Sequence, residues 1–285
     1  MNQQPKERAL PTGHTATIEC PSGLTVTMAR MTAADLSELS KASRREFLQR
    51  LCDVLTRCTK SIEAPGPYGA AVGPLDGWHW MDALTGDRQA AQLRHRVLSL
   101  GAAGREYRFE VICPLCGTAR WHAVDLLTDV GYVPYEPEVL AVFRDGGEFT
   151  LDLPGGGRVG FRLGTGRTDA LTLGARKTSD REALAQSMLP RLGAVEGLHA
   201  NDRARFLSDL ELEDLDALTE AMDAVQGGVD TLVTIQCGTC RASQQIHLPF
   251  SEAAFYLPSM TRKTSGEARR ASIRRLTGGS PSDSR

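Results

Sequence analysis

The chain has 285 residues, 41% of them apolar and 24% charged, which is typical of a globular protein with one large domain or two ordinary ones. Its formal net charge of −2 argues against a dedicated nucleic-acid-binding protein, because such proteins usually carry a strong positive excess. Residues 1–8 lack the apolar core of a secretory signal, and no apolar run is long enough to span a membrane. We therefore predict a cytoplasmic protein with no membrane partner.

The N-terminal part is predicted to contain a flexible start, a β-hairpin and a helix. Residues 1–12 are expected to be flexible, and the alternation of residues 15–31 around the turn Pro21-Ser22-Gly23 predicts a hairpin. Thr32 can cap the helix that follows. The apolar stripe of this helix, which allows a break near residues 41–43, comprises Leu36, Leu39, Phe47, Leu48, Leu51, Val54 and Leu55.

A stretch rich in turn residues and aromatic residues comes next. The prolines and glycines of residues 61–77 predict a loop. Trp78-His79-Trp80 is expected to open a short helix, and Asp87 is expected to cap the next helix, which ends at Gly101. Together with Tyr68, the two tryptophans are candidates for an exposed patch that faces a partner protein, with core packing as the alternative.

The C-terminal part repeats this order of elements. Residues 148–163 predict a second hairpin around the turn 154–157. Ser179 or Asp180 is expected to start a helix, and apolar residues at helical spacing run from residue 206 to residue 222. A similar succession of hairpin, helix and strand in both parts indicates an internal duplication.

Four of the seven cysteines form two Cys-x-x-Cys motifs, each between two predicted strands. The strand pairs span residues 107–124 and 229–248, and the cysteines are Cys113, Cys116, Cys237 and Cys240. Each motif makes a tight turn that points two thiolates at one centre, and two such turns complete a tetrahedron, so we predict one structural zinc ion. The alternatives are thiols without metal and a redox dithiol, which is disfavoured because neither motif precedes a helix.

The remaining histidines and cysteines near these elements are assigned structural roles. His122 and His247 lie in the strands that leave the two motifs, but four thiolates leave no vacant position for them on the metal. A closed site of this kind is structural rather than catalytic. Cys20, Cys52 and Cys58 are predicted to be small buried apolar residues.

The predicted fold is α+β, with two similar helix-plus-β-hairpin halves joined by a split, zinc-ribbon-like site of four cysteines. The first half covers residues 13–146 and the second covers residues 147–258, with an offset of about 124 to 133 residues between equivalent elements. Duplication explains the 120 residues between Cys116 and Cys237, which are too many for an ordinary zinc ribbon.

No motif in the chain predicts catalysis. Gly155 to Gly160 match the dinucleotide-binding pattern G-x-G-x-x-G, but the residues that follow the glycines alternate as a strand, which favours a hairpin turn. Acidic residues cluster where a helix dipole favours them, at Glu211, Glu213, Asp214 and Asp216. We therefore predict that the protein is not an enzyme and has no small-molecule substrate.

The last segment, residues 259–285, is basic. It carries seven Lys and Arg residues against Glu267 and Asp283 and is predicted to be a disordered tail. Combined with the cysteine motifs, this tail suggests an alternative function as a zinc-ribbon regulator that binds nucleic acid. The balance of charge over the whole chain makes nucleic acid an unlikely partner.

A family resemblance spans residues 15–258. The stretches that carry it are Cys20-Pro21-Ser22-Gly23-Leu24-Thr25-Val26, Trp80 to Gly86-Asp87-Arg88, Phe109 to Cys116, Gly228-Val229-Asp230-Thr231 to Cys240, and Leu248-Pro249-Phe250 to Phe255-Tyr256-Leu257-Pro258. In this order they resemble the T4-type phage baseplate protein family, whose members in contractile injection clusters are called baseplate hub assembly chaperones. The resemblance implies a non-enzymatic role as a chaperone or minor component of the baseplate hub, with hub or spike proteins as partners.

Overall fold

The chain combines short helices with small antiparallel sheets, which confirms the predicted α+β class. The computed structural model describes residues 14–43, 45–173, 187–248 and 253–256. Within these residues there are eight α-helices and thirteen strands, in sheets of four, three, two, two and two strands. The predicted flexible start, the helix predicted to begin at Ser179 or Asp180, and the basic tail lie outside the described residues.

The elements follow in chain order. The first part contains β1 (Thr15–Glu19), β2 (Leu24–Ala29), α1 (Ala33–Lys41), α2 (Phe47–Cys58), β3 (Thr59–Pro65), β4 (Gly73–Pro74), α3 (Thr85–Leu100), α4 (Ala102–Arg105), β5 (Glu106–Ile112), β6 (Ala119–Asp125), β7 (Gly131–Val133) and α5 (Pro137–Arg144). The second part contains β8 (Phe149–Asp152), β9 (Arg158–Phe161), α6 (Gly166–Leu173), β10 (Leu192–Val195), α7 (Arg203–Asp209), α8 (Leu212–Ala224), β11 (Gly228–Asp230), β12 (Leu232–Gln236) and β13 (Ser243–His247).

The predicted N-terminal hairpin is confirmed and belongs to a four-stranded sheet of order β1-β2-β3-β4. The loop predicted for residues 61–77 is wrong at residues 61–65, because Ile62 of β3 pairs with Val26 of β2 and is buried, and at the short strand β4, whereas residues 66–72 and 75–77 form loops as predicted. Pro65 and Pro74 stand at the ends of short strands, where a missing backbone N–H is tolerated, and Pro67 lies in the turn after β3. Thr32 caps α1 as predicted, in a capping box with Asp35, and the break between α1 and α2 occurs.

The aromatic residues expected to face a partner pack largely inside the protein. Tyr68 and Trp80 are buried, and Trp78 is half-buried with its ring edge-on to both. Trp78-His79-Trp80 lies in a turn rather than a helix, and the Trp80 indole N–H donates to the Thr59 hydroxyl at 3.0 Å. The prediction of an exposed aromatic patch at these residues is therefore wrong.

Asp87 lies inside the first turn of α3 and does not cap it, because α3 begins earlier than predicted. Its buried carboxylate accepts hydrogen bonds from the Ser22 N–H at 2.9 Å and from the Tyr68 hydroxyl at 2.6 Å. Burial raises the pKa of Asp87, and these hydrogen bonds oppose the shift. The carboxylate ties the turn of the first hairpin to α3, which ends at Gly101 as predicted.

Two predicted elements of the second part are interrupted. The helical pattern of residues 206–222 forms α7 and α8, which are separated by the extended backbone of Leu210 at φ −55° and ψ 138°. The strand predicted for residues 229–235 divides into β11 and β12, because β11 pairs with β7 whereas β12 pairs with β13. The predicted hairpin in this part is confirmed as β8 and β9.

Both parts place a third strand beside the second strand of their hairpin. β3 pairs antiparallel with β2, and β10 pairs antiparallel with β9. A helix and a strand pair with two cysteines then follow in each part, as α3 with β5 and β6, and as α8 with β12 and β13. The main core contains buried residues of both parts, among them Leu51, Phe109 and Ile235, so β12 packs into the core of the first part.

His95 of α3 is fully buried in this core. Its Nε2 lies 3.0 Å from the Ala29 carbonyl and donates to it, and Nδ1 has no hydrogen-bond partner in the described part of the chain. Burial lowers the pKa of His95 from 6.5 to about 4, although the Ala29 carbonyl and Asp35 favour the charged form. The imidazole is therefore neutral at pH 7.

Through His95, acidification from pH 7 to pH 5 is expected to lower the free energy of unfolding by about 2 kcal/mol. Between the folded pKa of about 4 and the unfolded value of 6.5, the unfolded chain binds more protons, so stability falls as pH falls. His95→Gln keeps an N–H for Ala29 and should show a smaller pH slope. Urea unfolding of both proteins at pH 5, 6 and 7 measures this, and equal slopes would contradict the prediction.

Candidate metal centre

The first ribbon, β5 and β6, turns through residues 113–118, which we call the first knuckle. The Gly117 N–H donates to the Cys113 carbonyl at 2.9 Å, and the Cys113 N–H donates to the Thr118 carbonyl at 3.1 Å. Gly117 has a φ of 67°, a left-handed conformation that glycine adopts without steric cost. This turn brings the thiols of Cys113 and Cys116 toward one point.

The second ribbon, β12 and β13, turns through residues 237–242, the second knuckle. The Arg241 N–H donates to the Cys237 carbonyl at 2.8 Å, and the Cys237 N–H donates to the Ala242 carbonyl at 2.8 Å, as at the equivalent positions of the first knuckle. Arg241 corresponds to Gly117 and has a φ of 61°, alone among the described non-glycine residues in having a positive φ. Because this conformation costs a non-glycine residue about 1–2 kcal/mol, the turn geometry is imposed by its surroundings.

The two knuckles meet through their sulfur atoms. All four Sγ atoms lie within 4.8 Å of one another, with 3.7 Å between those of Cys113 and Cys240 and 3.7 Å between those of Cys116 and Cys237. A disulfide would need about 2.05 Å. A tetrahedral site with metal–sulfur bonds of about 2.3 Å has sulfur–sulfur edges of about 3.8 Å. The predicted cysteines are therefore close enough to hold one metal ion.

The thiols differ in their surroundings. Backbone N–H groups of Cys240 and Thr239 lower the pKa of Cys237 to about 6, which favours its thiolate form. The Thr118 side chain and backbone also lower the pKa of Cys116. The pKa of Cys240 rises to about 11, because the lowering effect of a backbone N–H is outweighed by desolvation and by hydrogen bonds with the other thiols. Metal binding would release the protons that remain.

The cysteine cluster is buried on one side and exposed on the other. Cys113 and Cys237 are buried at the inner side, whereas Cys116 and Cys240 are exposed. The Arg120 guanidinium of the first ribbon donates to the Thr239 hydroxyl of the second knuckle at 3.2 Å, which links the two ribbons beside the thiols.

His122 and His247 do not belong to the cluster of ligand atoms. The His122 ring stacks on Phe109 at 6.3 Å, and His247 Nδ1 lies 2.9 Å from the Thr231 hydroxyl. Both histidines stand on faces of the ribbons, where sequence analysis placed them.

The other sequence-predicted candidates lie away from the metal centre. Cys20, Cys52 and Cys58 are buried as predicted, and burial raises the pKa of Cys52 to about 12 and that of Cys58 to about 11. Residues 155–157 form the turn between β8 and β9, as predicted. Asp214 has a role that sequence analysis missed: its carboxylate accepts the Gly155 N–H at 2.7 Å and joins this turn to α8.

Sequence analysis also missed three exposed apolar side chains near the first knuckle. Ile112, Leu115 and Trp121 are 67%, 78% and 59% exposed. Comparison of the two cysteine motifs with each other could have identified these side chains. The equivalent positions of the second ribbon are polar, so apolar residues stand out in the first.

Comparison of the chain with protein-family models, with curated proteins and with solved structures finds no match. Among the described residues, no helix combines the length and the apolar character needed to cross a membrane.

Proposed function

We propose that Cys113, Cys116, Cys237 and Cys240 hold one structural zinc ion that joins the two ribbons. Four sulfur donors in tetrahedral arrangement are the ligand set of structural zinc sites, and both 3.7 Å sulfur–sulfur distances fit zinc–thiolate bonds. Protein thiolates fill all four positions, so the ion has no place for a substrate or a reactive water.

The two parts of the chain are, in this proposal, copies of one duplicated unit. Equivalent hydrogen bonds in the two knuckles and a positive φ at both Gly117 and Arg241 support a common origin. The third strand beside each hairpin supports it further. Each copy contributes one knuckle, and the metal ion links the two knuckles.

The chain then acts by binding other proteins in the cytoplasm and catalyses no reaction. Its role is that of an assembly chaperone or minor component of the baseplate hub of a phage-tail-like contractile injection system. The observation that carries this role is that the stretches resembling the T4-type baseplate family meet in space. Ser22 bonds to Asp87, Gly86 packs on Gly228, and the first knuckle meets the second.

Affinity capture of the tagged full chain from cells that produce the particle tests this role. A hub or spike subunit is expected to co-purify with the chain, and its absence would overturn the proposal. Salt-sensitive binding of DNA or RNA that disappears on removal of residues 259–285 would instead indicate a nucleic-acid-binding regulator.

A further inference from the structure

The outer face of the first ribbon carries a small apolar surface, which we call the apolar tip and define as Ile112, Leu115 and Trp121. Pairing of Ile112 with Ala119 and of Glu110 with Trp121 places Ile112 and Trp121 on one face of the ribbon, and the exposed Leu115 lies in the knuckle that follows β5. The alternate residues of β5, Tyr107 and Phe109, are buried on the opposite face. The tip therefore points away from the core.

The second ribbon is an internal reference for this surface. The two knuckles are related by an offset of 124 residues. At this offset, the positions equivalent to the three residues of the tip are occupied by exposed polar residues, Gln236, Thr239 and Gln245. The two knuckles have the same backbone hydrogen bonds, so neither the turn nor the cysteine cluster requires apolar side chains at these positions. Exposed apolar patches rimmed by polar residues are a mark of interaction sites.

The charges around the tip indicate what it binds. Glu110 lies directly opposite Trp121 and forms no ion pair with any residue that the structure describes. Arg108, the nearest cation along β5, is already paired with Glu106. Arg120 lies opposite Val111, on the other face of the ribbon from Glu110 and Trp121, and donates to the Thr239 hydroxyl of the other knuckle. The tip is thus bordered by an unbalanced carboxylate, which favours a partner with a positive charge.

We propose that the apolar tip and Glu110 dock a segment of another protein that presents aliphatic side chains next to a lysine or arginine. Three apolar side chains are far fewer than the roughly 20–30 residues that each side of a stable dimer interface contributes, so a second copy of this chain does not fit. A contact of this size suits a partner that is later released. Only the assignment of the segment to a hub or spike subunit rests on the proposed function.

The test uses the full chain and a fluorescent synthetic peptide in which leucine alternates with lysine, with binding measured by anisotropy. The triple variant Ile112→Gln, Leu115→Thr, Trp121→Gln gives the tip the residues of the second ribbon and is expected to weaken binding roughly tenfold or more. Glu110→Gln is expected to weaken binding several-fold. The matched control Thr234→Ser with Gln245→Ser, on the outer face of the second ribbon, should bind as the wild type does.

Several results would overturn the proposal. The first is that the leucine–lysine peptide does not bind the wild type. The second is that the triple variant binds this peptide as tightly as the wild type does, and the third is that the wild type binds a leucine–glutamate peptide equally tightly. Two further results would do so by assigning the tip to another occupant: binding to anionic lipid vesicles that the triple variant loses, or a dimer in sedimentation that it loses. Unchanged thermal unfolding of the triple variant establishes that it is folded.

A purified hub or spike subunit separates this proposal from the proposed function. Equal binding of that subunit by the wild type and the triple variant would overturn the docking surface and leave the function standing. Peptide binding that depends on the tip, without any binding of a hub or spike subunit, would support the surface and overturn the function.

Discussion

Replacing Cys113 or Cys240 by serine is expected to reduce the zinc content from one ion per chain to none and to lower the free energy of unfolding by about 5 kcal/mol. The metal would close a loop in which 120 residues separate Cys116 from Cys237. A cross-link that closes a loop of about 100 residues lowers the entropy of the unfolded chain and so raises its free energy by about 4.7 kcal/mol. The core stabilises the rest of the fold independently of the metal. Loss of any one thiolate would leave only three of the four proposed ligands.

Metal analysis of protein purified without chelator, followed by urea unfolding with and without chelator, measures both effects. Cys58→Ala removes a buried thiol outside the cluster and is the matched control, which should keep one zinc ion per chain. Wild-type protein without metal, or a serine variant with wild-type zinc content, would contradict the prediction.

Gly86→Ala is expected to lower the free energy of unfolding by about 3 kcal/mol, although alanine normally stabilises a helix. Gly86 lies in the first turn of α3 and packs against the backbone of β11. A Cβ at this position would lie 2.5 Å from the Gly227 carbonyl oxygen and 2.5 Å from the Gly228 Cα. Because backbone atoms cannot rotate away as a side chain can, α3 and β11 would have to separate.

Urea unfolding of the variant measures this cost. Gly69→Ala is the control, since nothing lies within 4 Å of its added Cβ and its φ is not in the left-handed region. The control should stay within about 0.5 kcal/mol of the wild type. If both variants have the same stability, the close approach of α3 to β11 is not required by the fold.

Both predictions concern contacts between the two parts of the chain, which are also the contacts that local sequence patterns cannot specify. The cluster of four cysteines is a partial exception. The Cys-x-x-Cys spacing predicts that each pair points at one centre, and the presence of two pairs predicts that they meet. Which residue would face solvent beside each knuckle depends on how the ribbons pack.

Features that depend on residues a few positions apart were predictable from the sequence alone. The first hairpin follows from alternation around Pro21-Ser22-Gly23, and the capping box of Thr32 and Asp35 spans one helical turn. The strand–knuckle–strand units follow from alternation on both sides of two closely spaced cysteines. In each case the interacting groups are brought together by the chain's own local geometry.

The tertiary structure decided the features whose partners are distant in the chain. β3 is a strand because β2 offers it an edge, and Asp87 is a buried acceptor because Ser22 and Tyr68 reach it. Alternation in β5 shows that one face of the ribbon is buried but not whether anything covers the other, so the local pattern alone did not give the exposure of Trp121, which pairs with Glu110 of β5. The physical reason is that burial and hydrogen bonding depend on which surfaces meet, and a local pattern specifies one surface at a time.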